Sequence, residues 1–388
     1  MPGTSDKSAD PIIELRHRLH RLAEPSGHEE KTAACIREFL SECGPENLIE
    51  GIGGNGLVAT FKGPAEGPAV MIRCELDALP IPEDIDLAYR SRDPGTGHKC
   101  GHDGHMAIVA AVARKLADRR PARGKVHLLF QPAEETGQGA ARILEDDRFR
   151  ELEIDYLFAL HNLPGYPMHQ VVTRDGVFAS ASRGFEVVLQ GETSHAAHPE
   201  EGRSPALALA ALINHCSAFP QYYSALDQSA KVTVINARLG EVAFGTSPGL
   251  AEFRATFRTY DDGLMESLCR RAEQLVKDTA ATYGLKSDTG WTELFRATQN
   301  ARSCNEFIRS AAGNTGMEHT QKKTPFPWSE DFGRLTARYK GAMFGVGAGT
   351  DHPPLHSGRY DFPDQLIPTG TKIFLDILNQ ITGFEPQH

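Results

Sequence analysis

Five short stretches of the sequence place cysteine, histidine and acidic residues where predicted strands and helices meet loops. They are Arg73-Cys74-Glu75-Leu76-Asp77, CGHDGH at 100–105, QPAEE at 131–135, His161-Asn162 and Leu355-His356-Ser357. Open α/β sheets bind ligands beyond the carboxyl ends of their strands. We therefore expect these side chains to come together at one edge of a sheet.

The residue types in these stretches are typical of a divalent metal site. Thiolate, imidazole and carboxylate are ligands that Zn²⁺ and the borderline ions close to it accept. Cys100 and His102 can offer sulfur and nitrogen from one turn. Glu134 and Glu135 are adjacent, so one can bind metal while the other faces a water as general base. Two ions about 3.5–4 Å apart would polarise a substrate oxygen and generate hydroxide at neutral pH.

Each of these residues also has a structural interpretation. A lone cysteine is usually a small buried hydrophobe, and a pair of glutamates is usually a solvated turn. We interpret His127, which alternates with Val126 and Leu128 in a strand, as structural. The same interpretation applies to His17, His20, His98, His169, Cys35, Cys43, Cys216, Cys269 and Cys304. Only the coincidence of five candidate stretches at the ends of successive elements favours the metal site.

The composition is that of an ordinary globular protein, and the length indicates two or three domains. It has 388 residues and a net charge of −10, and an acidic chain without basic runs argues against nucleic acid as the main partner. No apolar run approaches the roughly 20 residues of a membrane span, and the N-terminus has no apolar signal-peptide core. Seven sparse cysteines do not form a disulfide pattern, so we expect a cytoplasmic protein.

The elements that must position the candidate residues alternate between helix and strand. Residues 11–43 are predicted to form two helices with a break at Glu24-Pro25-Ser26-Gly27. Strands are predicted at 57–61, 69–73, 126–130 and 157–160, with turns at Gly63-Pro64 and Gly67-Pro68 and a helix at 104–118. This order predicts a mostly parallel sheet covered by helices on both faces.

The pattern changes near residue 184. A strand at 185–189, a helix at 204–218, strands at 231–238 and 250–259, a helix at 262–283 and a strand at 286–296 give the ferredoxin-like order β-α-β-β-α-β. Helices at 303–313 and 366–382 and a strand at Ala342–Val346 follow. We predict a catalytic domain in two parts, 1–183 and 297–388, with an inserted domain at 184–296.

The chemistry-bearing stretches resemble those of a known family. MIRCELDALP at 71–80, CGHDGH, QPAEE, Leu160-His161-Asn162 and Pro354-Leu355-His356-Ser357 are similar, in order, to the metal-dependent amidohydrolases of the aminoacylase/carboxypeptidase-type metallopeptidase family. Within it, the similarity points to the branch of hippurate hydrolases and auxin–amino-acid conjugate hydrolases. The resemblance extends from about residue 12 to residue 382, nearly the whole chain.

The resemblance implies a fold and a role for each matching residue. The fold would be a zinc-peptidase-like mixed sheet sandwiched by helices, with the inserted domain as a lid and dimerisation domain. The metal ligands would be Cys100, His102, Glu135, His161 and His356. Glu134 would be the general base, and Asp77 would orient a ligand imidazole. His195 would be a lid histidine that reaches a neighbouring subunit's active site and stabilises the tetrahedral oxyanion.

The resemblance also implies two divalent ions per subunit, Zn²⁺ or Mn²⁺, and at least a homodimer formed through the lid. Three motifs depart from the branch: Glu75-Leu76-Asp77 replaces Asp-x-Asp, His195-Ala196-Ala197-His198-Pro199-Glu200 has its second histidine displaced, and Phe244-Gly245-Thr246-Ser247-Pro248-Gly249 replaces a segment with Asn-x-Ile-Pro. Because the last of these segments helps to bind the substrate carboxylate in relatives, the choice of substrate stays open.

The sequence thus predicts a metal-dependent hydrolase of the amide bond of an N-acyl amino acid or related small amide, with a metal-activated water and Glu134 as general base. One alternative is a hydrolase of a ureido, carbamoyl or aromatic-amine bond, which the altered lid motifs allow. The other is a non-catalytic metal-binding relative. The presence of all five ligand positions and of Glu134 disfavours the latter.

Overall fold

The structure is a computed structural model that describes residues 10–386. Its α-helices are α1 Pro11–Leu22, α2 Glu30–Glu42, α3 His102–Asp118, α4 Gly139–Glu145, α5 Asp147–Arg150, α6 Ala206–Tyr223, α7 Asp262–Thr282, α8 Arg302–Asn314, α9 Phe332–Thr336 and α10 Leu366–Ile381. Its strands are β1 Asn47–Ile52, β2 Gly56–Lys62, β3 Ala65–Glu75, β4 Arg123–Gln131, β5 Tyr156–Leu163, β6 Val171–Thr173, β7 Gly176–Ala179, β8 Ala181–Gln190, β9 Ser194–His195, β10 Ala230–Leu239, β11 Thr246–Ser247, β12 Leu250–Thr259, β13 Lys286–Phe295, β14 Thr298–Asn300, β15 His319–Gln321 and β16 Gly341–Gly347.

The described residues form two compact units. The first contains the chain as far as Phe178, the segment Gln299–Thr324 and the residues from Arg334 onward. The second contains Ala179–Thr298 and Pro325–Gly333. The boundaries at 183/184 and 296/297 that we expect from the sequence remain a prediction. Within residues 10–386, every helix is too short or too polar to cross a membrane.

The first unit is built on an eight-stranded mixed sheet in the order β1-β2-β4-β3-β5-β16-β6-β15. The inner strands β4, β3, β5 and β16 are parallel to one another. The sheet is mixed, as the resemblance implies: β1, β2 and β4 pair antiparallel on one flank, and β16 and β6 pair antiparallel toward the other. The short connection at Gly53 and Gly54, both at positive φ, accounts for the first of these pairs, because a tight turn joins β1 to β2 and can join only antiparallel neighbours.

The inner strands are apolar and buried along nearly their whole length, as expected for strands covered on both faces. Helix α3 contributes fully buried small side chains, among them Ala107, Ala110 and Ala113, to the core against α1 and α10. One predicted turn is wrong. Gly67-Pro68 lies inside β3, at a register shift against β4 between Ala65 and Ala69, where a bulge accommodates a proline that cannot donate to the ladder.

The second unit contains a four-stranded antiparallel sheet in the order β10-β12-β8-β13. Helices α6 and α7 pack against this sheet. The alternation of Phe185, Val187 and Leu189 in β8 with exposed neighbours gives the sheet one buried face. The order of strands and helices is the β-α-β-β-α-β order that the sequence predicts. A two-residue ladder between β9 and β11 is added to it.

Candidate metal centre

The parallel strands β3, β4 and β5 end at the same edge of the first sheet and bring the predicted acidic and imidazole groups there. Asp77 follows β3, and Glu134 and Glu135 follow β4. His161 lies within β5, near its end, because the strand extends to Leu163 rather than ending at residue 160. This arrangement follows from the shared direction of neighbouring parallel strands.

Cys100 and His102 flank Gly101 at the start of α3, and the backbone there requires glycine. Gly101 has φ +94°, and an added Cβ would lie 2.6 Å from Oδ1 of Asn162 and 2.8 Å from the hydroxyl of Tyr360. Both the conformation and the close approach exclude a larger residue. The turn holds Cys100 and His102 as buried neighbours facing the strand ends.

The five predicted ligands gather in overlapping groups. Ligand atoms of Cys100, His102 and His161 lie within 4.8 Å of one another, as do those of Cys100, Glu135 and His356. The Cys100 Sγ is 3.5 Å from Nε2 of His161. The two oxygens of Glu135 lie 3.8 Å from Nε2 of His102 and 3.8 Å from Nε2 of His356. Because Cys100 belongs to both groups, the five side chains form one connected cluster.

The two buried imidazoles are oriented as metal ligands require. Nδ1 of His102 lies 2.8 Å from the main-chain oxygen of Asp77, and Nδ1 of His161 lies 2.8 Å from that of Asn162. A carbonyl oxygen only accepts, so both rings carry a proton on Nδ1 and direct Nε2 at the cluster. Nε2 of His102 is buried and lacks a hydrogen-bond partner among residues 10–386. Such an atom fits a site for a cation, because an unbound buried polar atom is costly.

Asp77 is a buried carboxylate that contacts His102, Ser26 and the amide of Glu135. Burial opposes its ionisation, but the neighbouring imidazole of His102 and hydrogen bonds from Ser26 and the amide of Glu135 outweigh burial and lower the pKa of Asp77. Burial also opposes protonation of His102, yet the Cys100 thiol and Asp77 together raise the pKa of that imidazole. A ligand imidazole must be neutral, so a metal ion at His102 would displace a proton.

A chain of buried groups behind the ligands was not predicted from the sequence. Nδ1 of His105 lies 2.7 Å from Oε2 of Glu75, and its Nε2 lies 2.6 Å from Oδ1 of Asn162. Asn162 in turn donates to the hydroxyl of Tyr360 at 2.6 Å. Burial opposes ionisation of Glu75, but Arg73 and His105 lower the pKa of Glu75 well below its usual range. The available signal was the spacing of His105 three residues after His102, which places both on one face of α3.

Of the other predicted residues, His356 lies in a loop and His195 lies in the second unit. His356 is exposed, adopts φ +62°, and its amide donates to the main-chain oxygen of Lys99 at 2.8 Å. His195 is exposed on β9 of the second unit, opposite Thr246 of β11. Its Nδ1 accepts from the amide of Ala197 at 3.0 Å. The role of His195 therefore stays a prediction.

Burial also lowers the pKa of His161 to about 3, and the neighbouring His105 adds to this effect. His161 is therefore neutral at neutral pH and ready to bind a cation through Nε2.

His127, which we interpret from the sequence as structural, is buried in β4 with Nδ1 2.9 Å from the hydroxyl of Thr60. It takes no part in the cluster of ligand atoms.

Comparisons with known proteins point to one family. The profile of Peptidase family M20/M25/M40 matches residues 71–380. The chain is 30% identical to the N-acetyldiaminopimelate deacetylase of Geobacillus thermodenitrificans, over 90% of this chain and 93% of the relative. It is 28% identical to the N-acetylcysteine deacetylase of Bacillus subtilis, over 94% of this chain and 95% of the relative.

A solved structure has the same fold. The YxeP protein of Bacillus subtilis, described as a dinuclear metal-binding peptidase of the M20 family, aligns with a TM-score of 0.79 and 25% identity. The alignment covers 95% of this chain and 96% of that one. The similarity confirms the predicted fold class.

Proposed function

The chain belongs to Peptidase family M20/M25/M40 and is a metal-dependent amidohydrolase, and we propose that it cleaves the amide bond of N-acyl amino acids with Glu134 as general base. The observation that carries this proposal is the convergence of the five predicted ligands beside a buried Glu134. The names of two relatives, which act on N-acetylated amino acids, support the substrate class. The sparse cysteine usage supports the cytoplasm as the location.

The residues present fit a pair of divalent ions, held by Cys100, His102, Glu135, His161 and His356. When bound, such ions polarise the amide carbonyl and lower the pKa of water. Glu134 accepts the proton of the attacking water and then delivers it to the amine nitrogen as the C–N bond breaks. The main-chain oxygen of Asp77 keeps the ring of His102 in the tautomer whose Nε2 would bind an ion.

The reaction releases a carboxylate and an amine. We assign His195 of a second subunit to the developing oxyanion, as the sequence implies, because an exposed imidazole on a short ladder is free to contact another copy. The proposal therefore requires a dimer.

The second unit offers a surface for that dimer. Strand β10 is an edge of the four-stranded sheet, and its side chains Ile235 and Leu239 are exposed. Leu207 and Tyr222 of α6 are exposed as well. An unpaired, apolar edge strand is a template for association. In light scattering we expect the wild type to be dimeric and Ile235→Lys to be monomeric, whereas a monomeric wild type would contradict this part of the proposal.

Turnover by a base-deleted variant tests the function. The metal-loaded protein is assayed against N-acetyl, N-benzoyl and N-carbamoyl amino acids, which also separates acyl amides from ureido substrates. Glu134→Gln should lower kcat by a factor of about 100 to 10,000 at unchanged metal content. The control Glu135→Gln should lose metal as well. Wild-type turnover by Glu134→Gln would refute the assignment of the base.

A further inference from the structure

The segment between α1 and α2 contains a buried carboxylate that the proposed reaction does not yet use. Glu29 occupies the N-cap position of α2, but its side chain makes no capping bond. Glu24 takes that role, because its Oε2 accepts from the amides of Lys31 and Thr32 at 2.9 and 2.8 Å. The side chain of Glu29 is fully buried and is directed elsewhere.

Glu29 binds the turn that carries the catalytic glutamates. Its Oε1 accepts from the amide of Ala133 at 2.8 Å and from the amide of Gly27 at 2.7 Å. Its Oε2 accepts from Nδ2 of Asn55 at 2.9 Å. The bond to Ala133 joins residues 104 positions apart in the sequence and lies between buried groups.

Ala133 needs such a partner because its backbone is strained. It has φ +50°, a conformation that residues with a Cβ rarely adopt and that persists only where the surroundings hold it. Ala133 directly precedes Glu134. On the other side, the amide of Glu135 donates to Oδ2 of Asp77 at 3.0 Å. The amides on both sides of Glu134 are thus each held by a buried carboxylate.

We propose that Glu29 is a positioning residue that holds Ala133 in its left-handed conformation and so orients Glu134 and Glu135 toward the metal centre. This inference rests on the proposed function for its effect on catalysis. Asp77 fixes the turn from one side, and Glu29 fixes it from the other. The bond to the amide of Ala133, and not the charge of Glu29, is the element that matters.

A set of substitutions separates positioning from a general role in folding. Glu29→Ala removes the acceptor and should lower kcat about 100-fold while KM changes less than about threefold, as expected when a reacting group is misplaced. Glu29→Gln keeps an oxygen for the amides of Ala133 and Gly27 and should stay within about fivefold of wild type. The side chain of Glu29→Asp is too short to reach the amide of Ala133, so this variant should lose as much kcat as Glu29→Ala. It provides the same test if Glu29→Ala folds poorly. The exposed neighbour Glu30→Ala is the matched control and should leave kcat unchanged.

A second-site substitution gives a sharper readout. Glycine adopts positive φ without strain, so Ala133→Gly in the Glu29→Ala background should restore kcat by about tenfold. Loss of a merely structural contact at α2 would not be rescued in this way. Activity of Glu29→Ala equal to wild type, or a Glu29→Gln variant as impaired as Glu29→Ala, would overturn the proposal.

Titration with Co²⁺, followed by its visible spectrum, keeps the two proposals distinguishable. Because Glu135 belongs to the same turn, Glu29→Ala should bind Co²⁺ at least about tenfold more weakly than Glu29→Gln. This readout needs no substrate. If the wild type hydrolyses no amide in the panel, the proposed function fails, yet the Co²⁺ affinities still decide the role of Glu29. Equal Co²⁺ affinities of both variants and wild type would refute it.

Discussion

Substitution of Gly101 by alanine, compared with a control glycine, should distinguish two effects. One is the crowding at the turn between Cys100 and His102, and the other is the general cost of a non-glycine residue at positive φ. Gly101 lies between Cys100 and His102 with φ +94°. An added Cβ would press on Oδ1 of Asn162 at 2.6 Å and on the hydroxyl of Tyr360 at 2.8 Å. Both contacts are shorter than van der Waals distance, so one of the two groups must move.

The expected loss of stability has two parts. A non-glycine residue at such a φ costs about 1–2 kcal/mol. Displacement of Asn162 from Tyr360 breaks a buried hydrogen bond of 2.6 Å, which adds about 1–3 kcal/mol. Gly165 is an ideal control, because it has φ +86° and an added Cβ there would meet nothing within 4 Å. The free energy of unfolding of Gly101→Ala should therefore fall about 1–3 kcal/mol further than that of Gly165→Ala.

Urea unfolding with a chelator present measures the two free energies, and competition with a chromogenic chelator measures the Zn²⁺ affinity. Because Cys100 and His102 flank the substitution, Gly101→Ala should bind Zn²⁺ about 10- to 100-fold more weakly, whereas Gly165→Ala should bind it as the wild type does. If the two variants unfold at the same urea concentration and bind Zn²⁺ equally, the turn does not position the ligands as described.

Two other predictions concern a carboxylate and a buried histidine. Asp77→Asn should weaken Zn²⁺ binding about 10- to 100-fold, since it removes the negative charge whose Oδ1 lies 3.5 Å from Nδ1 of His102, and chelator competition would show an unchanged affinity if Asp77 were only structural. Burial lowers the pKa of His127 to about 4, so the unfolded chain takes up that proton first as the pH falls below about 6.5. Wild-type stability should therefore decline between pH 6.5 and 4 by about 2–3 kcal/mol more than that of His127→Asn, which keeps a polar partner for Thr60. Parallel stability curves from urea unfolding would show that His127 is not held neutral.

The sequence was most informative where residues that can bind metal lie at the ends of predicted strands or at the start of a predicted helix. Cys100, Glu135 and His161 could be predicted to lie close together because parallel strands end at the same edge of a sheet. The helices and inner strands have clear periodicity or continuous apolar runs, and their bounds agree with the structure within a few residues. The motif spacing also identified the family, which the comparisons confirm.

The rest depends on contacts that periodicity does not encode. Strands β1 and β2 run antiparallel because two glycines form the short connection between them, and β1 is too exposed to show a pattern. The bond from Ala133 to Glu29 and the contact of His105 with Glu75 link residues far apart in the sequence. A buried carboxylate that binds a main-chain amide cannot be distinguished from a surface glutamate until the chain is folded.

The central claim is that the predicted ligands hold a pair of divalent cations. Anomalous diffraction from crystals grown with Mn²⁺ or Zn²⁺ tests it most directly. We expect two anomalous peaks about 3.5–4 Å apart, enclosed by Cys100, His102, Glu135, His161 and His356. Peaks located elsewhere, or a fully metal-loaded crystal without a peak among these five side chains, would contradict the account.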